Sequence, residues 1–316
     1  MNIKEYRELV HKNTETFNPK DALRAINEWL EDYLADSKTE KVVIGISGGK
    51  DSTVVAKILV DKLGKEKVFG LLMPNGSQKD IADSYKVVEL LGIKHKTINI
   101  EKMYNAFLDV LSTEDGLVSY EAKINIPPRI RMTTLYTFGQ THHCRVAGTG
   151  NLSEITLGYF TKFGDGAHDF NIIANFTSLE VMRIGEELGL PLELVYKTPD
   201  DGLSGMSDEE KLGVTYIDVH NYLRKHKPEL DDNVLYKIMN MEKRSKHKRE
   251  KEPAVDFKSP LVKLPEVGKE VEITLKNGER RVAFLTVTSF YAEGLTFETM
   301  DYEDIRIDEV VDWKYT

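Results

Sequence analysis

The chain has 316 residues, 41% of them hydrophobic and 30% charged, with a formal net charge of −9 at pH 7. That length allows one large domain or two modest ones, and the composition excludes disorder throughout. The acidic balance argues against a general nucleic-acid or anionic-membrane binder. Cys144 is the one cysteine, which excludes an intramolecular disulfide and a Cys-x-x-Cys pair, and no apolar run approaches a membrane span. The N-terminal MNIKEYRELV has no apolar signal core, so a soluble cytoplasmic enzyme is expected.

In chain order, residues 3–35 read as helices, because Ile3, Tyr6, Leu9 and Val10, then Leu23, Ile26, Trp29, Leu30 and Leu34, recur at helical spacing. Lys41–Ile46 is a β-branched strand, followed by a glycine turn and a helix over Thr53–Leu63. Val68–Leu72 is a second strand, ending at Met73-Pro74-Asn75-Gly76; Asp80–Leu91 is a helix closed by Gly92. Lys96–Ile100 and Arg145–Gly148 are the third and fourth strands, and an amphipathic helix ends near Gly189-Leu190-Pro191. Alternating strands and helices predict an α/β fold, a parallel sheet with helices on both faces, whose ligands sit at the strands' carboxyl ends. After Pro253 the pattern becomes alternating, with an Asn277-Gly278 hairpin turn between Val271–Leu275 and Arg281–Val287. Further strands are expected at 294–298, 303–307 and 309–313, so residues 1–255 form the main domain and 256–316 a small C-terminal β module.

Chemistry concentrates first in Lys41–Ser52, KVVIGISGGKDS. Strand, glycine turn and helix N-terminus in that order make an anion site: glycines let the backbone approach a phosphate, and first-turn N–H groups point at it. Ser47 and Ser52 add hydroxyls, and Asp51 is a hard oxygen ligand for Mg²⁺. The loop fits neither the Walker nor the dinucleotide G-x-G-x-x-G pattern. It resembles the pyrophosphate loop of the N-type ATP pyrophosphatases, which split ATP into AMP and pyrophosphate to adenylate a substrate, and so implies an adenine nucleotide alpha hydrolase-like fold.

Four later segments narrow the resemblance: Asn125-Ile126-Pro127-Pro128-Arg129-Ile130-Arg131-Met132, Gly148-Thr149-Gly150-Asn151-Leu152-Ser153-Glu154, Gly158 to Gly166 (GYFTKFGDG), and Ser207 to Gly213 (SDEEKLG). Together they resemble the ammonia-dependent NAD synthetase family over about residues 20 to 250. The resemblance implies a ligase that adenylates the nicotinate carboxylate of deamido-NAD and lets ammonia displace AMP, giving NAD. It implies Asp51 and Glu154 as the Mg²⁺ carboxylates and Gly45, Ile46, Ser47, Gly48, Gly49, Lys50, Asp51, Ser52 and Thr149 as the ATP site. It puts Arg129, Lys162, Asp169, His247 and Lys248 on deamido-NAD, and the dinucleotide across a homodimer interface. Two positions depart from the commoner pattern: Ser178 stands where many members carry an ATP-contacting Lys, and Asp200 where many carry a hydroxyl. Losing a cation and gaining an anion beside ATP weakens phosphate binding unless the loop is rearranged or Mg²⁺ intervenes.

Other readings remain beside this one. Another N-type pyrophosphatase, such as a sulfur-transfer or tRNA-modifying enzyme, carries the same loop, and a catalytically idle nucleotide sensor would explain Ser178 and Asp200. A separate amidase subunit could supply the ammonia. His142-His143-Cys144 reads as a helix end before a strand, since adjacent residues rarely share one metal. Lys243–Lys251 reads as a substrate-closing segment, and the acids at 200, 201 and 208–210 as a solvated loop, with a second metal site the rival reading. Arg129 and Arg131 could be ordinary surface ion pairs. The C-terminal module, with 13 Asp/Glu against 8 Lys/Arg over 256–316, carries no motif; a dimer-stabilising, interaction or regulatory role is open.

Overall fold

In a computed structural model the described residues are 2–78, 81–111, 118–196, 208–225, 230–251, 253, 265–287, 295–301 and 303–316. The chain divides into two compact units, Met1–Lys251 and Glu252–Thr316.

The first unit opens with α1 (Ile3–Asn13) and α2 (Pro19–Asp36). Asn2 and Glu5 form a capping box on α1, and Asn18 with Pro19 starts α2. Next come β1 (Val42–Gly45), α3 (Lys50–Leu63), β2 (Val68–Leu72), α4 (Ile81–Leu91) and β3 (Lys94–Thr97). Then follow α5 (Glu101–Leu111), α6 (Tyr120–His142), the two-residue β4 (Arg145–Val146) and α7 (Leu152–Leu157). The unit closes with α8 (Ser178–Glu187), α9 (Leu192–Val195), α10 (Asp208–Leu212), α11 (Tyr216–Arg224), α12 (Asp232–Arg244) and α13 (Lys246–Arg249).

The strands form an all-parallel sheet in the order β3-β2-β1-β4. β1 is apolar throughout because both faces are covered. Val42, Ile44 and Ile46 join a core with Val54, Ile58, Leu59, Leu179 and Ile184 on one side. Val43 joins Leu71, Met73, Met132, Leu135 and Val146 on the other.

The third and fourth strands depart from the expected bounds, β4 ending at Val146 rather than 148, and one helix departs from what proline normally permits. The third strand covers Lys94–Thr97 rather than 96–100. Ile98 N–H still donates to Leu72 O (2.8 Å) and Ile100 N–H to Pro74 O (2.9 Å), but Pro74 has no N–H to return, so the ladder stops. That helix is α6, which runs 23 residues straight through Pro127 and Pro128. Proline inside a helix removes donors and normally ends it. Here tertiary contacts hold it: Ile126 and Pro127 are buried, and Arg131 Nε donates to Met73 O (2.9 Å) across to the β2 loop. α6 ends as expected, with His143 left-handed at φ 55 and Cys144 buried before β4.

The second unit is an antiparallel sheet of β5 (Glu270–Leu275), β6 (Arg280–Val287), β7 (Leu295–Thr299), β8 (Asp304–Arg306) and β9 (Val310–Tyr315). Its order is β8-β7-β6-β5-β9, the last strand returning to the first. The expected hairpin turn is present: Gly278 takes φ 85 and Leu275 N–H donates to Glu279 O (2.8 Å). Alternate residues Val271, Ile273, Ala283, Leu285, Phe297, Ile305 and Val310 make its own small core.

Candidate active site

The sheet order has one reversal. From β1 the chain proceeds outward to β2 and β3, then crosses back to place β4 on β1's other side. A crevice opens at such a switch point beyond the carboxyl ends of the two diverging strands. Both glycine-rich motifs leave the sheet there, Gly45–Ser52 from β1 and Gly148–Glu154 from β4.

The first turn is built from backbone necessity. Gly48 has φ +79, and a Cβ there would lie 2.7 Å from Ser84 N and 2.9 Å from Asp83, so the turn lies directly on the first turn of α4. Gly49 is the N-cap of α3 and offers no side-chain cap, which leaves first-turn N–H groups to face an anion. Ser47 Oγ and Ser52 Oγ are 3.0 Å apart, and Ser47 Oγ accepts the Gly49 N–H (3.2 Å). The hydroxyls thus brace the turn from inside.

The second motif supplies what the first lacks. Asn151 and Glu154 form a capping box on α7: Asn151 Oδ1 accepts the Glu154 N–H (3.2 Å) and Glu154 Oε2 accepts the Asn151 N–H (3.0 Å). Asn151 is fully buried, and its Nδ2 donates to Asp51 Oδ1 (3.2 Å), 100 residues away in sequence. One residue therefore meets both expected carboxylates, Asp51 through its side-chain amide and Glu154 through its backbone N–H. Burial first, and then the neighbouring Asp51 charge, push the Glu154 carboxyl well above the ordinary carboxylate range. Lys50 Nζ lies 2.7 Å from Asp51 Oδ2 and 5.5 Å from the Tyr216 ring centre. Burial works against its charge, but Asp51 and Glu154 outweigh it and hold its pKa above the lysine value.

A third group gathers around the 158–166 loop. Thr161 Oγ1 donates to Asn125 Oδ1 (2.6 Å), and a Cβ on Gly164 would meet Pro128 Cβ at 2.9 Å, so the Asn-Ile-Pro-Pro-Arg and Thr-Lys-Phe-Gly-Asp-Gly motifs touch. Arg129 Nε donates to Lys162 O (3.3 Å), and Lys162 Nζ donates to His247 O (2.8 Å). Lys248 Nζ donates to Gly158 O (2.8 Å) and Phe160 O (2.7 Å), while Arg249 reaches Ile155 O and Thr156 O at the end of α7. Cations at a helix C-terminus satisfy its free carbonyls and suit its dipole. Burial and the Arg129 charge act against Lys248's own charge, and its pKa is lowered despite Asp165. Arg129, Lys162, His247 and Lys248 are thus brought together by the fold.

Asp169 has a different setting: its Oδ2 accepts the Val146 N–H (2.8 Å) and its own N–H donates to Val146 O (2.9 Å), on the outer side of β4. Thr149 is half-buried beside the Asp51–Glu154 pair's loop. Ser178 is fully buried at the start of α8; its N–H donates to Ser153 Oγ (3.1 Å), and its own Oγ has no partner. Asp200 lies outside the described residues, as does the rest of 197–207. Of the acids read as a solvated loop, Asp208 and Glu209 are instead fixed: Tyr159 Oη donates to Asp208 (3.0 Å) and the Tyr216 N–H to Glu209 (2.7 Å). Arg131 is no surface ion pair either, being turned inward to Met73 O.

Sequence reading missed Asn151, Tyr216, Arg131 and Arg249 as members of this architecture. Asn151 had a local signal, since Asn-x-x-Glu before an apolar run is the capping-box pattern. Among the described residues no group of three or more His, Cys, Asp or Glu could hold a metal, so the carboxylate pair stands as a two-ligand arrangement.

The NAD synthase family model matches residues 22–252. The chain is 36% identical over 250 residues to the NH(3)-dependent NAD(+) synthetase of Archaeoglobus fulgidus, covering 77% of this chain and 100% of that protein. Among solved structures, it is similar to an NMN synthetase from Francisella tularensis, with 34% identity and a TM-score of 0.71 over 76% of this chain and 100% of that one. It is also similar to the NH3-dependent NAD synthetase of Campylobacter jejuni, at 25% identity and a TM-score of 0.63 over 76% of this chain and 100% of that one.

Proposed function

The chain belongs to the NAD synthase family, and from that premise we propose that it converts deamido-NAD to NAD, using ATP and ammonia. A free carboxylate is a poor acyl donor because its leaving group would be oxide. In the first step a nicotinate carboxylate oxygen attacks the α-phosphorus of ATP and the bond to pyrophosphate breaks. In the second, ammonia attacks the acyl carbon, AMP leaves, and the nitrogen loses a proton as the amide forms.

The observation that carries this reading is the convergence of Asp51 and Glu154 through Asn151 beside the uncapped N-terminus of α3. The turn N–H groups and the Ser47 and Ser52 hydroxyls orient the polyphosphate. The carboxylate pair fits Mg²⁺: both donors are hard oxygens, and a dication offsets both the burial and the Asp51 repulsion that lift Glu154. When bound, Mg²⁺ supplies neutralisation of the pyrophosphate charge. Gly45, Ile46, Gly48, Gly49, Lys50 and Thr149 complete the ATP site in this proposal. Ser178, closed from solvent, acts there through Ser153 and not through its hydroxyl.

Arg129, Lys162, His247 and Lys248 form the deamido-NAD end, with Arg129 the exposed cation. Asp169 serves a separate part of the dinucleotide at the β4 edge. A homodimer is supported by the apolar surface of α5 and α6, where Met103, Phe107, Val110, Leu111, Tyr120 and Ile124 are exposed. The same surface borders a cavity of about 700 Å³ that Arg129 and Ile126 line, so interface and substrate site adjoin. No described helix is long and apolar enough to cross a membrane; a cytoplasmic setting is proposed.

A second reading changes only the acceptor. The likeness to an NMN synthetase favours the mononucleotide carrying the same nicotinate carboxylate. Incubation with ATP, Mg²⁺ and either acceptor, comparing ammonium with glutamine, separates all cases. NAD from ammonium and deamido-NAD is the expected product. Mononucleotide amidation at higher kcat/KM would select the second reading, glutamine use by this chain alone would contradict the ammonia-dependent reading, and no amide from any combination sinks the assignment.

A further inference from the structure

Lys50 is in an unfavourable place twice over. It occupies the first helical position of α3, where the helix dipole disfavours a cation. Its side chain is 4% exposed, and lysine is almost never so buried without a partner. Its ammonium is committed to Asp51 Oδ2 at 2.7 Å and lies over the Tyr216 ring, whose hydroxyl is buried and unpartnered. Asn151 holds the other oxygen of Asp51. Both oxygens of one expected metal ligand are therefore already taken, one of them by a positive charge.

We propose that Lys50 is a positioning residue, a tethered counter-ion that holds Asp51 and Glu154 together while no metal is bound and competes with the incoming dication for Asp51. This rests on the reading of Asp51 and Glu154 as the metal carboxylates. Two carboxylates held by one buried residue, Asp51 on the Asn151 side-chain amide and Glu154 on its backbone N–H, repel each other without a cation, and the fold supplies one from the residue next to Asp51. A dication must displace the ammonium from Asp51 Oδ2, so metal alone binds weakly. A polyphosphate brings both the metal and a new acceptor for the displaced ammonium, so metal and nucleotide bind best together.

The test is binding of Mn²⁺ alone, without nucleotide, followed by the electron-spin-resonance signal of the free ion, in wild type, Lys50→Met and Asp51→Asn. Lys50→Met is expected to bind Mn²⁺ at least tenfold more tightly than wild type, while the gain in Mn²⁺ affinity on adding a non-hydrolysable ATP analogue shrinks. General damage to the site moves affinity the other way. Equal or weaker Mn²⁺ binding in Lys50→Met, with Asp51→Asn still abolishing it, overturns the role of Lys50 and leaves the metal carboxylates standing. Mn²⁺ binding that is indifferent to Asp51→Asn overturns the carboxylate reading and this inference with it. If Lys50→Met does not fold, Lys50→Gln, which keeps a polar head without the charge, gives the same comparison.

Discussion

Replacing Asn151 by aspartate separates its two jobs. The Oδ1 that caps α7 is retained, so the N-cap, otherwise worth roughly 1 kcal/mol, is preserved. The Nδ2 donor, 3.2 Å from Asp51 Oδ1, becomes a carboxylate oxygen. Two unit charges at that separation repel by about 5 kcal/mol at an effective dielectric of about 20. Proton uptake caps the loss at neutral pH near 4 kcal/mol, the cost of protonating a carboxyl about three pH units above its usual value. Some of this is offset by Lys50 Nζ, already on Asp51, so about 2–3 kcal/mol is expected for metal-free Asn151→Asp at pH 7. The extra repulsion raises the folded-state carboxyl pKa, so the deficit is absent below about pH 4 and grows as pH rises through the folded value. Urea melts in EDTA at pH 4 and pH 7, for wild type, Asn151→Asp and Asn151→Ala, measure it. Mg²⁺ should restore Asn151→Asp more than Asn151→Ala, because only the aspartate adds a ligand. Equal pH dependence in wild type and Asn151→Asp would refute the bridging role and reduce Asn151 to a helix cap.

Other consequences are checked as directly. Glu154 carries a raised pKa through burial and Asp51; a raised carboxyl stabilises the fold fully below about pH 4 and loses that contribution as pH climbs. Metal-free Glu154→Gln should therefore be more stable than wild type at pH 8 and equal to it at pH 4, by thermal melts in EDTA. Gly158 takes φ +68, and an added Cβ would lie 2.0 Å from Ser245 Cβ, so Gly158→Ala should lose about 2–4 kcal/mol and the docking of α12 and α13, seen as faster amide exchange over 241–249. A chain ending after residue 253 retains the whole first unit and is expected to keep its melting temperature within a few degrees and its ATP-dependent amidation.

The strand, turn and helix around Ser47–Ser52 were legible because glycine, β-branched and apolar residues there all demand the same local structure. The C-terminal hairpins were legible for a similar reason, since Asn277-Gly278 admits few alternatives. The helix through Pro127-Pro128 was not legible, because its support comes from Thr161 and Met73, 36 and 58 residues from their partners Asn125 and Arg131. Local propensity cannot register such contacts. Asp169 was readable as a residue of the right type in the right segment. That its carboxylate meets Val146 rather than the Arg129–Lys248 group depends on where β4 sits in the sheet. The 94–97 strand shows the converse lesson: the missing N–H of Pro74 was visible in the sequence, but its partner in the ladder was not.

The end of α7 is gripped by the last helical residues of its unit, through the Lys248 and Arg249 contacts to the backbone at 155–160. During synthesis the glycine turn emerges some 200 residues before those cations. The core beneath the turn also draws on Leu179 and Ile184 of α8, so the strand and helix that carry the turn are packed only once that later helix has been made. Residues at both ends of the unit's sequence thus meet in one assembly, and a chain cut short within α13 loses the Lys248 and Arg249 contacts that hold the backbone at 155–160.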